Sequence, residues 1–283
     1  MKKNILPNNL AINDLIKEAV TLLLNNNIKT ARLDVLILLE NILHVGRTHI
    51  LLNNSLRLEN KDLKLFQKYL NKRIKHIPIS QIIGFSYFYG LKFLVNKNVL
   101  QPRPETELLV EELLNIVKTD SFLNTKKHIN ILDVGTGSGN IGIAILKNLK
   151  NCSVDMLDIS KKATKIAKIN AVLYTTNYNI FQSNLLKNVF RQYDIIVANL
   201  PYIPYKHKLN KDATYEPRSS IFAKNDGLFL YQKLFSQINN TSKPLYLLLE
   251  SLTDSQPKLS KIAKNNGYIL YKIKNTISIF KAV

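Results

Sequence analysis

The chain has 283 residues, 46% of them hydrophobic, which is enough for one large or two modest domains with a buried core. Cys152 is its single cysteine, so an internal disulfide and a cysteine-built metal cluster are excluded, and a reducing, cytoplasmic setting is expected. The formal net charge of +20 fits two interpretations: a solvated Lys-rich surface that reflects composition, or attraction of an acidic protein or RNA.

The sequence predicts neither a membrane segment nor a metal site. No apolar run reaches the length of a membrane span, and no apolar signal core follows the first residues. No cluster of His, Cys or Glu has the spacing of metal ligands. We therefore expect a soluble cytoplasmic protein with no metal and no membrane partner. We also expect a monomer with no stably bound nucleic acid.

The first 77 residues show helical spacing only. Apolar side chains recur every three or four positions in three stretches, near residues 12–23, 30–43 and 60–74. This pattern predicts a small helical bundle over residues 1–77. The bundle serves either as packing support or as a docking domain for a protein substrate.

The pattern changes over residues 78–100. Aromatic and apolar residues surround Gly84 and Gly90, which is typical of a β-hairpin, and we expect this hairpin to link two domains. The aromatic side chains of such a hairpin either pack between the two domains or line one wall of a cleft. Proline at positions 102 and 104 then excludes a helix interior, and a helix is predicted over residues 105–117.

From residue 129 onward, strand and helix patterns alternate. This order predicts a mostly parallel sheet that is covered by helices on both faces, and hence an α/β fold for residues 101–283. The seven expected strands lie at residues 129–134, 154–158, 179–182, 193–198, 245–249, 268–273 and 277–280, of which the last two form an antiparallel edge pair.

A glycine-rich turn, Gly135-Thr136-Gly137-Ser138-Gly139, follows the first of these strands. Glycine lets the backbone approach a ligand closely, and the next helix directs its free N–H groups toward the same place. Asp158 ends the second strand, where a carboxylate binds ribose hydroxyls, although a helix cap or a solvated acid is the alternative. The third glycine comes one residue sooner than in dinucleotide-binding turns, which favours S-adenosylmethionine over NAD.

The segment Asn199-Leu200-Pro201-Tyr202 directly follows the fourth strand. Parallel strands open onto a common crevice at their carboxyl ends, so this segment is expected beside the glycine turn. An Asn side-chain oxygen and a backbone carbonyl accept the two N–H protons of a planar nitrogen group, and an aromatic ring stacks on its face. A strand stop followed by an ordinary turn is the alternative.

The order of these features resembles the S-adenosylmethionine-dependent amino-methyltransferases, whose signature is Asn-Pro-Pro-Tyr. Three further stretches narrow the resemblance to the protein-(glutamine-N5) methyltransferases that modify the Gly-Gly-Gln loop of class-1 peptide chain release factors: residues 81–84 with Phe88 and Phe93, residues 102–107, and residues 215–217. The resemblance implies a Rossmann-like methyltransferase domain, S-adenosyl-L-methionine as cofactor, a class-1 release factor as partner and substrate, and a docking role for residues 1–77.

The resemblance also implies roles for individual residues. The catalytic cradle would consist of Asn199, Leu200, Pro201 and Tyr202. The cofactor would contact Asn199 together with Gly135, Thr136, Gly137, Ser138, Gly139, Asp158 and Leu185. The protein substrate would contact Phe88, Arg103 and Glu105.

The chain departs from the family pattern at several positions. Leu200 replaces a proline, which keeps the carbonyl but loses the fixed φ of the ring. Asn184 and Leu185 stand where an acid and an aromatic residue are usual, and residues 250–252 lack an expected glycine. Three alternatives remain open: a nucleic-acid adenine-N6 methyltransferase, a glutamine methyltransferase acting on a ribosomal protein, and a decayed methyltransferase that serves as a binding module.

Overall fold

The computed structural model describes residues 6–7, 10–175, 177–239 and 243–283. The chain divides into two compact units. One comprises Met1–Gly84 with the short segment Asn210–Tyr215, and the other comprises Phe85–Leu209 and Glu216–Val283. The segment Asn210–Tyr215 therefore belongs to the first unit although the second unit surrounds it in the sequence.

The first unit is helical. Its helices are α1 (Ile12–Asn25), α2 (Ala31–Leu43), α3 (Arg47–Leu52), α4 (Asn60–Ile74) and α5 (Ile79–Ile83). The three predicted helices are confirmed as α1, α2 and α4, whose apolar faces share one buried cluster. The short helices α3 and α5 were not predicted, because five or six residues are too few for the helical period to show.

The segment Asn210–Tyr215 is held to the helical unit by a buried arginine. Arg73, with a side chain only 5% exposed, places Nε 2.7 Å from Asp34 Oδ2 and Nη2 2.8 Å from Asp212 Oδ2. Burial raises the pKa of Asp34, whereas its hydrogen bond to Arg73 lowers that pKa. Gln81 adds a hydrogen bond from Nε2 to the Tyr215 carbonyl, at 3.2 Å.

The second unit begins with the hairpin of β1 (Phe85–Phe88) and β2 (Leu91–Leu94), in which Phe85 pairs with Leu94. The hairpin is thus shorter than the 78–100 range, since residues 79–83 are helical. Two helices follow, α6 (Glu107–Thr119) and α7 (Ser121–Thr125). The predicted helix after the proline stretch is confirmed as α6, which is preceded by a single 3-10 turn at Pro104–Thr106.

Strands and α-helices alternate through most of the remaining chain as the sequence predicts, except over residues 179–223, where four strands follow one another. In chain order they are β3 (Ile129–Val134), α8 (Asn140–Asn148), β4 (Cys152–Asp158), α9 (Lys161–Tyr174), β5 (Asn179–Gln182), β6 (Ile195–Ala198), β7 (Ile203–Pro204), β8 (Phe222–Ala223), α10 (Phe229–Ile238), β9 (Tyr246–Glu250), α11 (Gln256–Asn265), β10 (Tyr268–Lys274) and β11 (Ile277–Ala282).

Seven of these strands form one sheet in the order β10-β11-β9-β6-β3-β4-β5, and β7 pairs with β8 separately. Strands β3, β4, β5, β6 and β9 are parallel, and β11 is antiparallel to both β9 and β10. The predicted seven-stranded sheet is therefore confirmed. Because β3 lies between β4 and β6, the glycine turn lies between the ends of the strands that carry Asp158 and Asn199.

The core covers both faces of the sheet. Alternate residues of a strand point to opposite faces, so Ile131 of β3 packs in one buried cluster and Leu132 in the other. The same alternation occurs in β6, where Ile195 and Ile196 join different clusters. Each fully buried side chain of this size contributes about 1.5–3 kcal/mol to folding. Among the described residues, no helix combines the length and apolar character needed to cross a bilayer.

Candidate active site

A crevice of about 810 Å³, counting the open space at its mouth, lies at the carboxyl ends of β3, β4 and β6. Its walls include Gly135, Gly137, Asp158, Leu185, Asn199 and Leu200. A smaller cavity of about 350 Å³ shares Gly135, Gly137 and Asn199 with it and extends to Arg103 and Thr106. The order of the strands in the sheet therefore brings together the glycine turn, Asp158 at the end of β4 and the cradle. This is the arrangement expected where the carboxyl ends of neighbouring parallel strands open onto one crevice.

The three glycines of the turn all have positive φ, but their roles in the structure differ. Gly135 and Gly137 line the crevice with bare backbone. Gly139 lines neither cavity. A Cβ at Gly139 would lie 2.9 Å from Ile143 Cδ1 and 3.2 Å from the Ala167 Cβ, so this glycine permits the close packing of α8 on α9.

Thr136 and Ser138 line the smaller cavity, and their hydroxyls shape the turn. The Thr136 hydroxyl donates to Asp133 Oδ2 at 2.6 Å, and the Ser138 hydroxyl donates to Asn140 Oδ1 at 2.9 Å. Burial raises the pKa of Asp133 to about 7, although hydrogen bonds from Thr136 and from the Gly142 N–H lower it. These side chains hold the loop from within and leave its backbone to face a ligand.

Asp158 lines the crevice and also fixes the turn. Its Oδ2 accepts the Gly137 N–H at 3.0 Å, and its Oδ1 accepts the Ser160 N–H at 2.8 Å. Burial raises the pKa of Asp158, and these two hydrogen bonds lower it. The helix cap is Ser160, whose hydroxyl accepts the Ala163 N–H at 3.2 Å. Ser160, and not Asp158, therefore caps α9, and the carboxylate of Asp158 keeps lone pairs for ligand hydroxyls.

Asn184 and Leu185 form part of the crevice wall after β5. Leu185 is only 6% exposed and has a φ of +53°, with its carbonyl accepting the Ser183 hydroxyl at 2.7 Å. Most of its side chain packs in the core, so it presents a small apolar surface to the crevice. The Asn184 Oδ1 accepts Lys233 Nζ at 3.2 Å.

The orientation of the Asn199 amide is set by Thr106. Nδ2 of Asn199 donates to Thr106 Oγ1 at 3.0 Å, and Thr106 is 2% exposed. Within the described parts of the chain, Oδ1 of Asn199 receives no hydrogen bond. Asn199 lines both cavities, and its amide therefore offers an acceptor oxygen there.

Glu250, at the end of β9, contacts the cradle at Tyr202. Its Oε1 accepts the Tyr202 hydroxyl at 3.0 Å. Burial raises the pKa of Glu250, and hydrogen bonds from Thr106 and Tyr202 lower it. Burial also raises the pKa of Tyr202, as does the adjacent Glu250 charge. One buried carboxyl group thus connects Tyr202 with the threonine that orients Asn199.

Gly227, in the turn before α10, packs directly on the cradle backbone. It has a φ of +89°, and a Cβ there would lie 2.0 Å from the Tyr202 carbonyl oxygen. Sequence reasoning missed Gly227, Thr106 and Glu250. The sequence contains only weak signals for two of them. Glu250 ends a strand at the same end of the sheet as Asp158, and Thr106 lies within the 102–107 stretch.

The three expected substrate contacts lie in different places. Arg103 lines the smaller cavity, and its Nη2 lies 2.6 Å from Oε1 of the buried Glu216, which joins the 102–107 and 215–217 stretches. Glu105 is exposed, and its charge raises the pKa of Glu250. Phe88 is not brought to the crevice: it is 1% exposed, lines neither cavity and packs against Phe93 in the core.

The part of the chain that the structure describes contains no group of three or more His, Cys, Asp or Glu side chains placed to hold a metal ion.

Known protein families match both parts of the chain. The PrmC N-terminal domain matches residues 14–84, and the methyltransferase small domain matches residues 105–225. The release factor glutamine methyltransferase of Flavobacterium psychrophilum is 39% identical over 204 residues, which is 70% of each chain. That of Fusobacterium nucleatum is 31% identical over 268 residues, covering 92% of this chain and 74% of that protein.

Other relatives differ in length or share only the fold. The bifunctional methyltransferase of Rickettsia typhi is 35% identical over 260 residues, or 85% of this chain and 50% of that protein, so the chain spans about half its length. The hMettl16 catalytic domain, solved with a 3'UTR hairpin, has a TM-score of 0.51 at 12% identity, covers 82% of this chain and 85% of that chain, and shares the fold. The two release factor glutamine methyltransferases, at least 31% identical and covered over 70% or more of their length, together with the N-terminal domain match, show that the chain belongs to the release factor glutamine methyltransferase family.

Proposed function

We propose that the protein transfers a methyl group from S-adenosyl-L-methionine to the side-chain nitrogen of the glutamine in the Gly-Gly-Gln loop of a class-1 peptide chain release factor. The observation that carries this proposal is the Asn199 amide, whose nitrogen is bound to Thr106 so that its oxygen is left to accept. The Leu200 carbonyl and the Tyr202 ring follow it directly in the chain.

S-adenosyl-L-methionine is the cofactor of this family, and the crevice has the chemistry to hold it. Gly135 and Gly137 present backbone without side chains, and the Asp158 carboxylate suits ribose hydroxyls. The apolar walls formed by Leu157 and Leu185 suit a flat adenine ring. When bound, the cofactor supplies an electrophilic methyl group on a positively charged sulfur.

The protein's own residues have to overcome the weak nucleophilicity of an amide nitrogen, whose lone pair is delocalised into its carbonyl. The Asn199 Oδ1 and the Leu200 carbonyl accept the two N–H protons of the substrate and aim the nitrogen at the methyl group. The same two oxygens stabilise the positive charge that builds on the nitrogen as the N–C bond forms and the bond between sulfur and the methyl carbon breaks. One of the two N–H protons of the substrate then leaves to solvent. Holding reactants in such a near-attack geometry lowers a barrier by about 7–11 kcal/mol in well-oriented systems.

The proposal also covers the docking of the substrate, the oligomeric state and the location of the protein. The helical unit docks the release factor, and the protein acts as a monomer in the cytoplasm. The PrmC N-terminal match over residues 14–84 supports the docking role, since this unit accompanies the methyltransferase domain in the family.

The function is tested by mass spectrometry after incubation of the protein with S-adenosyl-L-methionine and an unmodified class-1 release factor. We expect one added methyl group on the glutamine of Gly-Gly-Gln and none on a release factor with glutamate at that place. DNA and a ribosomal protein mixture are run in parallel. Methylation of either instead of the release factor would overturn the proposal, and no methylation of any substrate would leave the decayed binding module as the better account.

Thr106 offers a test of how Asn199 is oriented. Replacing Thr106 by valine removes the buried hydroxyl that accepts Asn199 Nδ2 and leaves that partly buried N–H without its partner. Loss of such a bond costs about 1–3 kcal/mol, so we expect kcat to fall by about tenfold or more. Thr106→Ser keeps the hydroxyl and should retain most of the activity. Equal kcat values for the valine and serine variants, measured at saturating cofactor, would contradict this role.

A further inference from the structure

The peptide bond between Asn199 and Leu200 carries an N–H group, which a proline at position 200 would lack. Leu200 is 4% exposed, and its N–H donates to the hydroxyl of Tyr231 at 3.3 Å. Tyr231 lies in α10 and is completely buried. Its hydroxyl in turn donates to the backbone carbonyl of Glu250. One phenol group therefore accepts a bond from the cradle and donates one to the end of β9.

Both ends of this connection are anchored in the sheet. Strand β6, which leads into the cradle, pairs with β9, with Ala198 opposite Leu249. Glu250 is itself paired with Ile277 of β11. The Tyr231 ring packs in the core cluster on this face of the sheet, so the position of its hydroxyl is fixed.

The bond to Tyr231 acts on Leu200, the cradle residue directly before Pro201. Leu200 lacks the ring that would fix its φ. Pro201 already restricts the ψ of the residue before it. The bond to Tyr231 fixes the peptide plane before Leu200, and the burial of the Leu200 side chain in the core fixes its Cβ. Together they set φ, and with ψ restricted by Pro201 the direction of the Leu200 carbonyl follows.

We propose that Tyr231 is a positioning residue, which holds the Leu200 peptide in place of a proline ring and so aims the Leu200 carbonyl at the substrate amide. This inference rests on the proposed function, because the Leu200 carbonyl acts on a substrate only there. Tyr231, which lies 31 positions after Leu200, thus supplies the rigidity that a proline at position 200 would give the cradle.

The first test compares two conservative variants. Tyr231→Phe removes the hydroxyl that links the cradle to β9, whereas Tyr268→Phe removes an equally buried hydroxyl that donates to the Pro244 carbonyl at 3.0 Å. We expect Tyr231→Phe to lower kcat by about tenfold with little change in the KM for the cofactor, and Tyr268→Phe to change kcat by less than about twofold. Equal kcat values for the two variants would overturn the inference.

The second test uses the N–H itself. Leu200→Pro removes the group that Tyr231 receives and supplies a fixed φ, so Tyr231→Phe should then have no further effect. We expect the double variant Leu200→Pro with Tyr231→Phe to match Leu200→Pro alone in kcat within about twofold. A further loss of about tenfold in the double variant would show that Tyr231 acts by another route and would overturn the inference.

A third measurement does not depend on turnover. Amide hydrogen exchange at Leu200 reports directly on its bond, and we expect it to be about tenfold faster in Tyr231→Phe than in the wild type or Tyr268→Phe. If the wild type methylates no release factor, the proposed function fails, and with it the aiming of the carbonyl at a substrate, whereas the exchange rate still decides whether Tyr231 holds the Leu200 peptide. Unchanged exchange at Leu200 would overturn the inference, whatever the activity.

Discussion

Replacing Asn199 by alanine is expected to lower kcat by about 100- to 1000-fold, which is the effect of removing one preorganised hydrogen-bonding group from a charge-stabilising site. Under the proposed function, the variant loses one of the two oxygens that accept the N–H protons of the substrate amide. Binding of S-adenosyl-L-methionine should persist, because Gly135, Gly137 and Asp158 still line the crevice. Single-turnover methylation of the release factor, with calorimetric titration of the cofactor, separates the two effects.

The matched control for Asn199→Ala is Asn184→Ala, since Asn184 also lines the crevice but lies after β5, away from the cradle. We expect Asn184→Ala to raise the KM for the cofactor while kcat changes by less than about twofold. A kcat for Asn199→Ala within tenfold of the wild-type value, by the same measure, would contradict the role of the cradle.

Gly227→Ala is expected to reduce kcat by about 100-fold or more, because the added Cβ would lie 2.0 Å from the Tyr202 carbonyl oxygen, far inside van der Waals contact. The cradle cannot move away freely, since the Tyr202 hydroxyl is bound to Glu250. A shift of about 1 Å in a positioning group is enough to cost roughly 100-fold in rate. Methylation kinetics and urea unfolding of the same samples measure activity and stability separately.

Gly90→Ala controls for backbone strain. Gly90 has a φ of +73°, close to that of Gly227, but no atom lies within 4 Å of the position its Cβ would take. We expect Gly90→Ala to lower the free energy of unfolding by about 1–2 kcal/mol and to leave kcat within about twofold. If the two glycine variants have the same kcat, contact with Tyr202 is not what Gly227 protects.

Much of the fold follows from local patterns in the sequence. Strands such as β3 and β6 are recognisable because five of the six residues of β3 and all four of β6 are buried, and successive residues pack on opposite faces of the sheet. Helices α1, α2 and α4 are long enough for their period to show, whereas α3 and α5 are not. Phe88 illustrates the limit of such patterns, because an aromatic residue in a hairpin points either into the core or into a cleft, and here it is buried.

The location of the site also follows from the sequence. Alternating strands and helices predict a parallel sheet, and the ends of its neighbouring strands have to open onto one crevice. The glycine turn, Asp158 and Asn199 are therefore together for a reason that local sequence contains. Their identity as residue types, with free backbone, a carboxylate and an amide, further limits the ligands that the crevice can hold.

Only the tertiary structure decided which residues hold the cradle in place. Thr106 is 93 positions from Asn199, Glu250 is 48 from Tyr202, and Tyr231 is 31 from Leu200. Contacts over such separations depend on how α6, α10 and β9 pack around the sheet, and no local periodicity encodes these packing distances. The sequence alone therefore determined what chemical groups lie at the crevice, and the packed structure determined which of their atoms are free to act.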